Sequence, residues 1–552
     1  MDGIMTLSSV VSRFLDQDQD LAFGFEASVG DFVVVGFSAH EAVNGIGEIH
    51  VELASLHGDI DLHALMDTEA VLGIYDKYSP PRYLAGVVSE VERGDSGVRR
   101  TFYSVVLRPP LHRLAHTADS RIWQDVTVID IAKEVLAEHG IDKVAWQLHH
   151  TDRYQKREFA TQYREDCLSF LMRLLNEEGV FFYHTHAADG ATLVFCDASE
   201  AAPALAHAPT LPYNATPGGQ SRGAWVHEFH QRERLRPSSY RLNDYSYHSP
   251  ATNYIQARAM AENNGLKGQY DIYDPDGRYK HPQQVGAHFA KHRIEATRVD
   301  ATTGAGSTNS IHITAGHRLT LSDHPDVRAN GDHYVLSVAH SGQQPAALEE
   351  DAGGGPTTYG ATFSTMPARL PYRPPVAEKP VVDGPQIVLI TGPEGEEIHT
   401  DADGRVKAWF LWDYRTREAA GGTIEAIDDR ASCWIRVAQN WAGGGWGHMA
   451  IPRIGQECLC DFLDGDPDQP IITGRTYHAR NRPPYKLPEH KTRMTIKSQT
   501  HKGQGYNELR FEDEAGQEEV FMHAQKDHNT IIENDESHQI GHDRSKSVGN
   551  DQ

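Results

Sequence analysis

The 552 residues exceed one ordinary core and set an expectation of roughly three or four domains. Hydrophobic residues are 39% and charged residues 23%, the balance of a packed globular protein. Lys and Arg number 52 against 77 Asp and Glu, a formal charge of -25 that repels phosphate backbones and anionic membranes, so a nucleic-acid partner is set aside.

The N-terminus, MDGIMTLSSVVSRF, lacks a cationic start and a long apolar run, so it does not read as a signal peptide. No stretch approaches the roughly 20 apolar residues of a membrane span. Residues 21–108 read mostly as strands, with FVVVGF (32–37), IHVEL (49–53) and TFYSVVL (101–107) rich in β-branched and aromatic residues. SPPRY (79–83) and ERGDSG (92–97) read as turns or loops between them.

Two helices follow. Val128, Ile131, Ala132, Val135 and Leu136 form one apolar stripe, Thr127 with Asp130 resembles a capping box, and Gly140 suits the exit. Leu168, Leu171, Met172 and Leu175 repeat the stripe, which Gly179 ends. VFFYHTH (180–186) reads as a strand, Val285 to Ala296 as a third helix, and HRLTLSD (317–323) and HYVLSVAH (333–340) as further strands. A Pro/Gly-rich stretch, 349–385, reads as an extended linker and a domain boundary.

Residues 386–475 carry six strand-like runs: QIVLITG, RVKAWFLW, CWIRVAQ, HMAIPRIG, ECLCDFL and PIITGRTY. They suggest a small barrel, the oligonucleotide/oligosaccharide-binding (OB) type being one option. The five cysteines, Cys167, Cys196, Cys433, Cys458 and Cys460, lack the spacing of a disulfide framework. Cys458 and Cys460 alternate with Leu459, so a strand points both to one face, where packed thiols are favoured over a metal pair.

TIIENDES (530–537), HQIGHDRS (538–545) and KSVGNDQ (546–552) align at a period of eight, with Ile532, Ile540 and Val548 in one slot and Glu533, Gly541 and Gly549 in the next. A helix drifts about 80° over eight residues and makes no stripe, whereas a strand keeps the Ile/Val slot on one face. One chain has too little apolar surface here to offset its ordering entropy. Three chains about a common axis would pool three aliphatic side chains per layer, with glycine letting the backbone bend closely around it. A single-chain solenoid and a disordered polar tail are the rival readings. The repeat is expected to continue past Gln552, so the shaft reads as truncated.

Several segments resemble the valine-glycine repeat G (VgrG) family, the spike of type VI secretion. CWIRVAQNWAGGGWGHMAIPRIGQECLCDFLDGDPDQPIITGRTY (433–477) resembles that family's OB signature, including W-x-R-V, P-R-x-G-Q and G-D-P-D-x-P. RVKAWFLWD (405–413) resembles the preceding strand, and TIKSQTHKGQGYNELRFEDEAGQEEVFMHAQKD (495–527) the neck before the β-helix. REFATQYREDCLSFLMRLLNEEGVFFYHTH (157–186) and LRPPLHRL (107–114) resemble the phage-hub-like region. At the repeats only Val548-Gly549 is a Val-Gly pair, and Ile532-Glu533 reads as a transitional rung.

The resemblance implies a mainly β protein with an α+β hub. Its expected parts are a phage-hub-like region over 1–348, the linker, an OB-fold domain over 386–477, a neck over 478–529, and the start of an intertwined triple-stranded β-helix over 530–552. It implies a homotrimer seated on a hexameric tube of haemolysin-coregulated protein. A proline-alanine-alanine-arginine (PAAR) repeat cone and effectors would ride at the other end. The implied role is puncture of a target membrane, from the cytoplasm outward and without a signal peptide. The axis residues expected are Ile532, Ile540 and Val548, with Gly541 and Gly549 as bend positions. A contractile phage tail or injection-particle hub-spike, and a spike with an effector enzyme fused beyond this chain, are the alternatives.

No catalytic site, cofactor or metal is expected. His184 and His186, and His227 and His230, lack a nearby third ligand in sequence, and HEAVN (40–44) lacks the second His of a zinc helix. Asp401 and Asp403 before Gly404 would place His399 and Phe410 in ligand slots, so a turn is expected; DPDG (274–277) fails similarly. Glu177 and Glu178 read as a solvated helix end. GGGPTT (353–358) lacks a phosphate-binding lysine, and WAGGGWG (441–447) reads as a loop packing Trp441 and Trp446. Trp409, Trp412, Trp434, Arg405 and Arg415 could line an OB binding face, which is expected to pack within the trimer. About 50 residues between Tyr477 and the first octad leave no room for an inserted lysozyme.

Overall fold

A computed structural model of the chain describes residues 19–550, apart from 98, 217–222, 248–249, 251–255, 262–267, 276, 278, 280–282 and 346–354. The chain divides into two units: residues up to Val382 together with Asp466–Asp468, and Asp383–Gly465 with Gln469–Gln552.

The first unit is built on a twelve-stranded sheet. From one edge its strands are Leu21–Glu26, Glu69–Asp76, Ser79–Ser96, Thr101–Arg108, Glu48–Ser55, Val33–Ala42, Gly331–Gln343, Thr358–Pro367, Thr302–Thr308 and Val226–Glu233. Thr210–Pro212 and Arg318–Ser322 pair beside this path. Alternation puts Val34, Val51, Leu53, Leu72, Leu84 and Val105 into one core. Both proposed turns lie at the ends of one 18-residue strand, Ser79–Ser96, paired first with Glu69–Asp76 and then with Thr101–Arg108. The reversal sits instead at Asp76–Ser79, where the Asp76 carboxylate accepts from Tyr78 N and Ser79 Oγ. The stretch read as a linker holds the strand Thr358–Pro367. Its alternating Ala361, Phe363 and Thr365 are buried, a period-two signal hidden by the prolines that follow.

A helical lobe packs Val128–Glu138 against Cys167–Glu177. The capping box is formed: Asp130 N donates to Thr127 Oγ1 at 3.2 Å and the Asp130 carboxylate accepts from Thr127 N. Phe181–Ala187, Gly190–Cys196 and Val144–Gln147 form a small sheet under these helices. The third helix runs Gln283–Thr297, near its predicted span, and packs on the strands Ser239–Asn243 and Gln256–Met260.

In the second unit, Lys407–Phe410, Gln386–Thr391, Glu457–Phe462, Pro470–Thr476 and Arg436–Val437 form a five-stranded sheet. Val406 and Ile435 exchange backbone hydrogen bonds at 2.8 and 2.9 Å, joining the last strand to the first. The sheet therefore closes into an OB-like barrel. Val388, Ile390, Ala408, Phe410, Ile435, Cys458, Cys460 and Ile472 are buried. HMAIPRIG is not a strand. Pro452 has no N–H to give a ladder, and Ala450 N donates to Gln439 Oε1.

Candidate functional site

The second unit continues into a three-stranded antiparallel sheet, Arg493–Lys497, Glu508–Glu512 and Glu519–His523, within the segment read as the neck. Register aligns Met494 with Phe511 and Val520 in one row, and Ile496 with Leu509 and Met522 in the next. Since side chains alternate, these six share one face. Met494, Ile496, Val520 and Met522 are 57–69% exposed, and Leu509 and Phe511 are half-buried.

The opposite face is polar and joined up. Arg493 pairs with Glu512 at 2.7 Å, Thr495 Oγ1 donates to Glu508 at 2.9 Å, and Arg510 reaches Glu519 and the Tyr485 hydroxyl. The hydroxyl of Thr492 and the Arg493 guanidinium hold the Glu512 carboxyl down at about 2. A polar face largely paired within the chain, backed by an apolar face left in water, is the pattern of a surface that gains by meeting a partner.

Beyond the neck sheet, residues 524–550 carry no strand or helix among the described residues. Ile532, Ile540 and Val548 stand 43, 49 and 46% exposed, a near-constant value at each step of eight, while Ile531, out of the slot, is 85% exposed. A side chain at Gly541 or Gly549 would meet no atom of the described residues within 4 Å. The octad slot is a reading of the sequence period. The six neck residues were missed, although the alternation in RMTIK, ELRFE and EVFMH carries the signal.

The other candidates fall elsewhere. Glu177 and Glu178 do not form a solvated helix end: Glu177 is buried, the Glu178 side chain is only 10% exposed, and both share the Arg157 guanidinium at 2.8 Å each. Burial raises Glu177, but Arg157 outweighs it and holds the carboxyl near 2, while burial dominates at Glu178 and raises it. His186 lies 3.6 Å from Glu41, which also pairs with Arg82 and accepts from the Thr314 hydroxyl at 2.7 Å. Burial depresses His184 to about 3 and His186 to about 4. Among the described residues, no group of three His, Cys, Asp or Glu side chains is placed to hold a metal ion. Asp401 caps a turn through Asp403 N and Arg405 N.

The aromatic and basic residues suggested for an OB face are engaged within the chain. Trp409 is buried, with Nε1 donating to the Asp413 carbonyl. Trp412 donates to Gln386, Trp434 packs on His399, and Arg405 is paired with Asp401. Within G-D-P-D, Asp466 and Asp468 receive the Lys379 ammonium at 3.2 and 2.9 Å, and Thr161 N donates to Asp468.

Comparison with known proteins bears on this geometry. The phage tail baseplate hub (GPD) family matches residues 40–346, more than half the chain. The type VI secretion system/phage-baseplate injector OB domain matches 421–477, and the bacteriophage T4 gp5 C-terminal trimerisation domain matches 494–552. Actin cross-linking toxin VgrG1 of Vibrio cholerae is 42% identical over 525 residues, 94% of this chain and 47% of that protein. Spike protein VgrG3 of Vibrio cholerae is 41% identical, over 91% of this chain and 48% of its own length, and VgrG5 of Pseudomonas aeruginosa 38%, over 94% and 65%. The chain thus spans about half the length of the Vibrio relatives. In fold it resembles the E. coli c3393 protein, a type VI secretion component, with a TM-score of 0.57 at 18% identity, covering 82% of this chain and 99% of that one. It also resembles a chain of the Francisella PdpA-VgrG complex, with a TM-score of 0.55 at 8% identity, covering 95% and 91%. The chain belongs to the VgrG family of type VI secretion spikes, in which a phage-type tail hub and tail spike are fused in one polypeptide.

Proposed function

We propose that three copies of this chain form the spike of a type VI secretion machine, a structural part that punctures a target membrane and carries effectors into it. The observation that carries this reading is the bare apolar face of the neck running into the octad slot. Each aliphatic side chain that leaves water contributes about 1.5–3 kcal/mol. Met494, Ile496, Val520, Met522, Ile532, Ile540 and Val548 are all exposed in one copy, so association about a shared axis offers them a gain that the monomer cannot. Gly541 and Gly549 would then lie where the three backbones approach closely.

On this reading the residues up to 348 form the hub that receives the hexameric tube of haemolysin-coregulated protein. The barrel of 386–477 and the neck of 478–529 lead into a triple-stranded β-helix from 530 onward. A PAAR-repeat cone and effectors seat at its far end. The cytoplasm is where it assembles, and firing carries it outward. One Vibrio relative is named as an actin cross-linking toxin and is about twice as long as this chain, which favours fused effector domains as a variation on the same spike. The mass of the whole polypeptide in solution at low micromolar concentration tests the assembly. Three times the chain mass is expected, and a stable monomer removes the reading.

A further inference from the structure

The barrel carries a second apolar feature that the axis does not use. Trp441 to His448 form a tight hairpin: Ala442 pairs with Gly447, Gly443 N donates to the Trp446 carbonyl at 2.9 Å, and His448 N to the Trp441 carbonyl at 2.8 Å. The two indoles meet edge to face with centroids 5.1 Å apart. Yet Trp441 is 64%, Trp446 58% and Met449 79% exposed. The shape is fixed from beneath. A side chain at Gly443 would collide with the Trp446 ring at 2.3 Å, and one at Gly447 with the Trp441 carbonyl at 2.5 Å. A rigid pair of exposed tryptophans is the composition of an interface hot spot.

Resting on the trimer proposed above, we infer that this hairpin is the contact by which the barrel of one copy grips the barrel of the next, seating on the segment Leu411 to Ile424. Cyclic symmetry of order three admits no self-complementary contact, so each copy must present two unlike patches. This unit has two. Besides the hairpin, Leu411, Tyr414 and Ile424 are 50, 42 and 42% exposed on a segment anchored by the buried cluster of Trp409, Ile427 and Ala431.

Continuity with the neck brings the patches together. Within one chain the barrel is tied to the neck through Arg453 Nη2 to the Gln499 carbonyl at 2.7 Å, and through Lys502 to Glu396 and Glu397. Three gathered necks therefore hold three barrels at one level. Area points the same way. A stable interface needs about 800 Å² from each partner. The two indoles, each about three-fifths exposed, supply roughly 250 Å² of that beyond the narrow neck face.

The test uses the whole polypeptide carrying Leu411→Cys and Trp446→Cys, treated with a short bismaleimide. The five native thiols are buried, so the new pair labels selectively. A ladder to covalent trimer on a denaturing gel is expected. In parallel, Trp441→Ala with Trp446→Ala should raise the concentration at which the trimer dissociates by about tenfold or more, with the far-ultraviolet circular dichroism unchanged. Trimeric native mass with neither intermolecular cross-linking nor a shift in dissociation overturns this inference and leaves the trimer standing. A monomeric native mass overturns both.

Discussion

At the scale of single residues, the hub holds a buried knot of ionisable groups on several strands. Glu41 pairs with Arg82, lies near His186 and His340, and accepts from Thr314 and Ala315 N. Burial acts to raise the Glu41 carboxyl, but Arg82 and the neighbouring imidazoles hold it well below the carboxylate range. Burial depresses His184 and His186 to about 3 and 4, and His184 Nε2 has no hydrogen-bond partner among the described residues. An unfolded histidine takes a proton near 6.5. As pH falls through that value the unfolded chain binds protons that the folded hub refuses, so stability drops, and Glu41 adds to the loss at lower pH. The thermal midpoint is expected to be flat above pH 7 and to fall between pH 6.5 and 4, by on the order of a few kcal/mol in stability. His184→Phe keeps the ring and removes one titrating group, so it should flatten that fall; a midpoint at pH 5 equal to wild type would exclude His184 from it. Arg82→Ala leaves the Glu41 charge buried and should cost about 3–5 kcal/mol, measured by denaturant unfolding.

At the scale of elements, the barrel interior explains the pair of cysteines. Cys458 and Cys460 both point inward and are fully buried, and burial lifts the Cys458 thiol to about 11 and Cys460 further. All five thiols should be silent to Ellman's reagent in the folded protein, and all five should react after unfolding. Cys460→Ser buries a hydroxyl in that site and should cost about 1–3 kcal/mol. These strands were legible in the sequence because ECLCDF alternates and QIVLIT is a short β-branched apolar run. The capped helices were legible because Thr127, Asp130 and the glycines at 140 and 179 are local signals. Long-range pairing was not. SPPRY looks like a turn until Glu69–Asp76 is beside it, and Thr358–Pro367 looks like linker until Gly331–Gln343 supplies its partner. Glu177 and Glu178 failed for the same reason, since Arg157 sits twenty residues upstream and arrives only through the fold.

At the scale of the whole molecule, the neck sheet is the decisive feature. If three copies close over its apolar face, a charge placed there meets its own images. Ile496→Glu should convert the trimer to monomer at low micromolar concentration, read by light scattering, while hub and barrel stay folded by circular dichroism. Ile531→Glu, outside the octad slot and 85% exposed, should leave the mass unchanged. If both substitutions behave alike, the neck face is not the seam.

The polar back of the neck also bears on timing. Arg493, Glu508, Arg510 and Glu512 find their partners inside one polypeptide, so this small sheet can form while the nascent chain is still solitary, its sticky side outward. The hub and barrel precede it from the ribosome, and each has a buried core of its own within one chain. Recruitment of siblings then falls to a stretch made after the hub and barrel, and tagged and untagged chains made in one cell should share particles far more readily than chains mixed after purification.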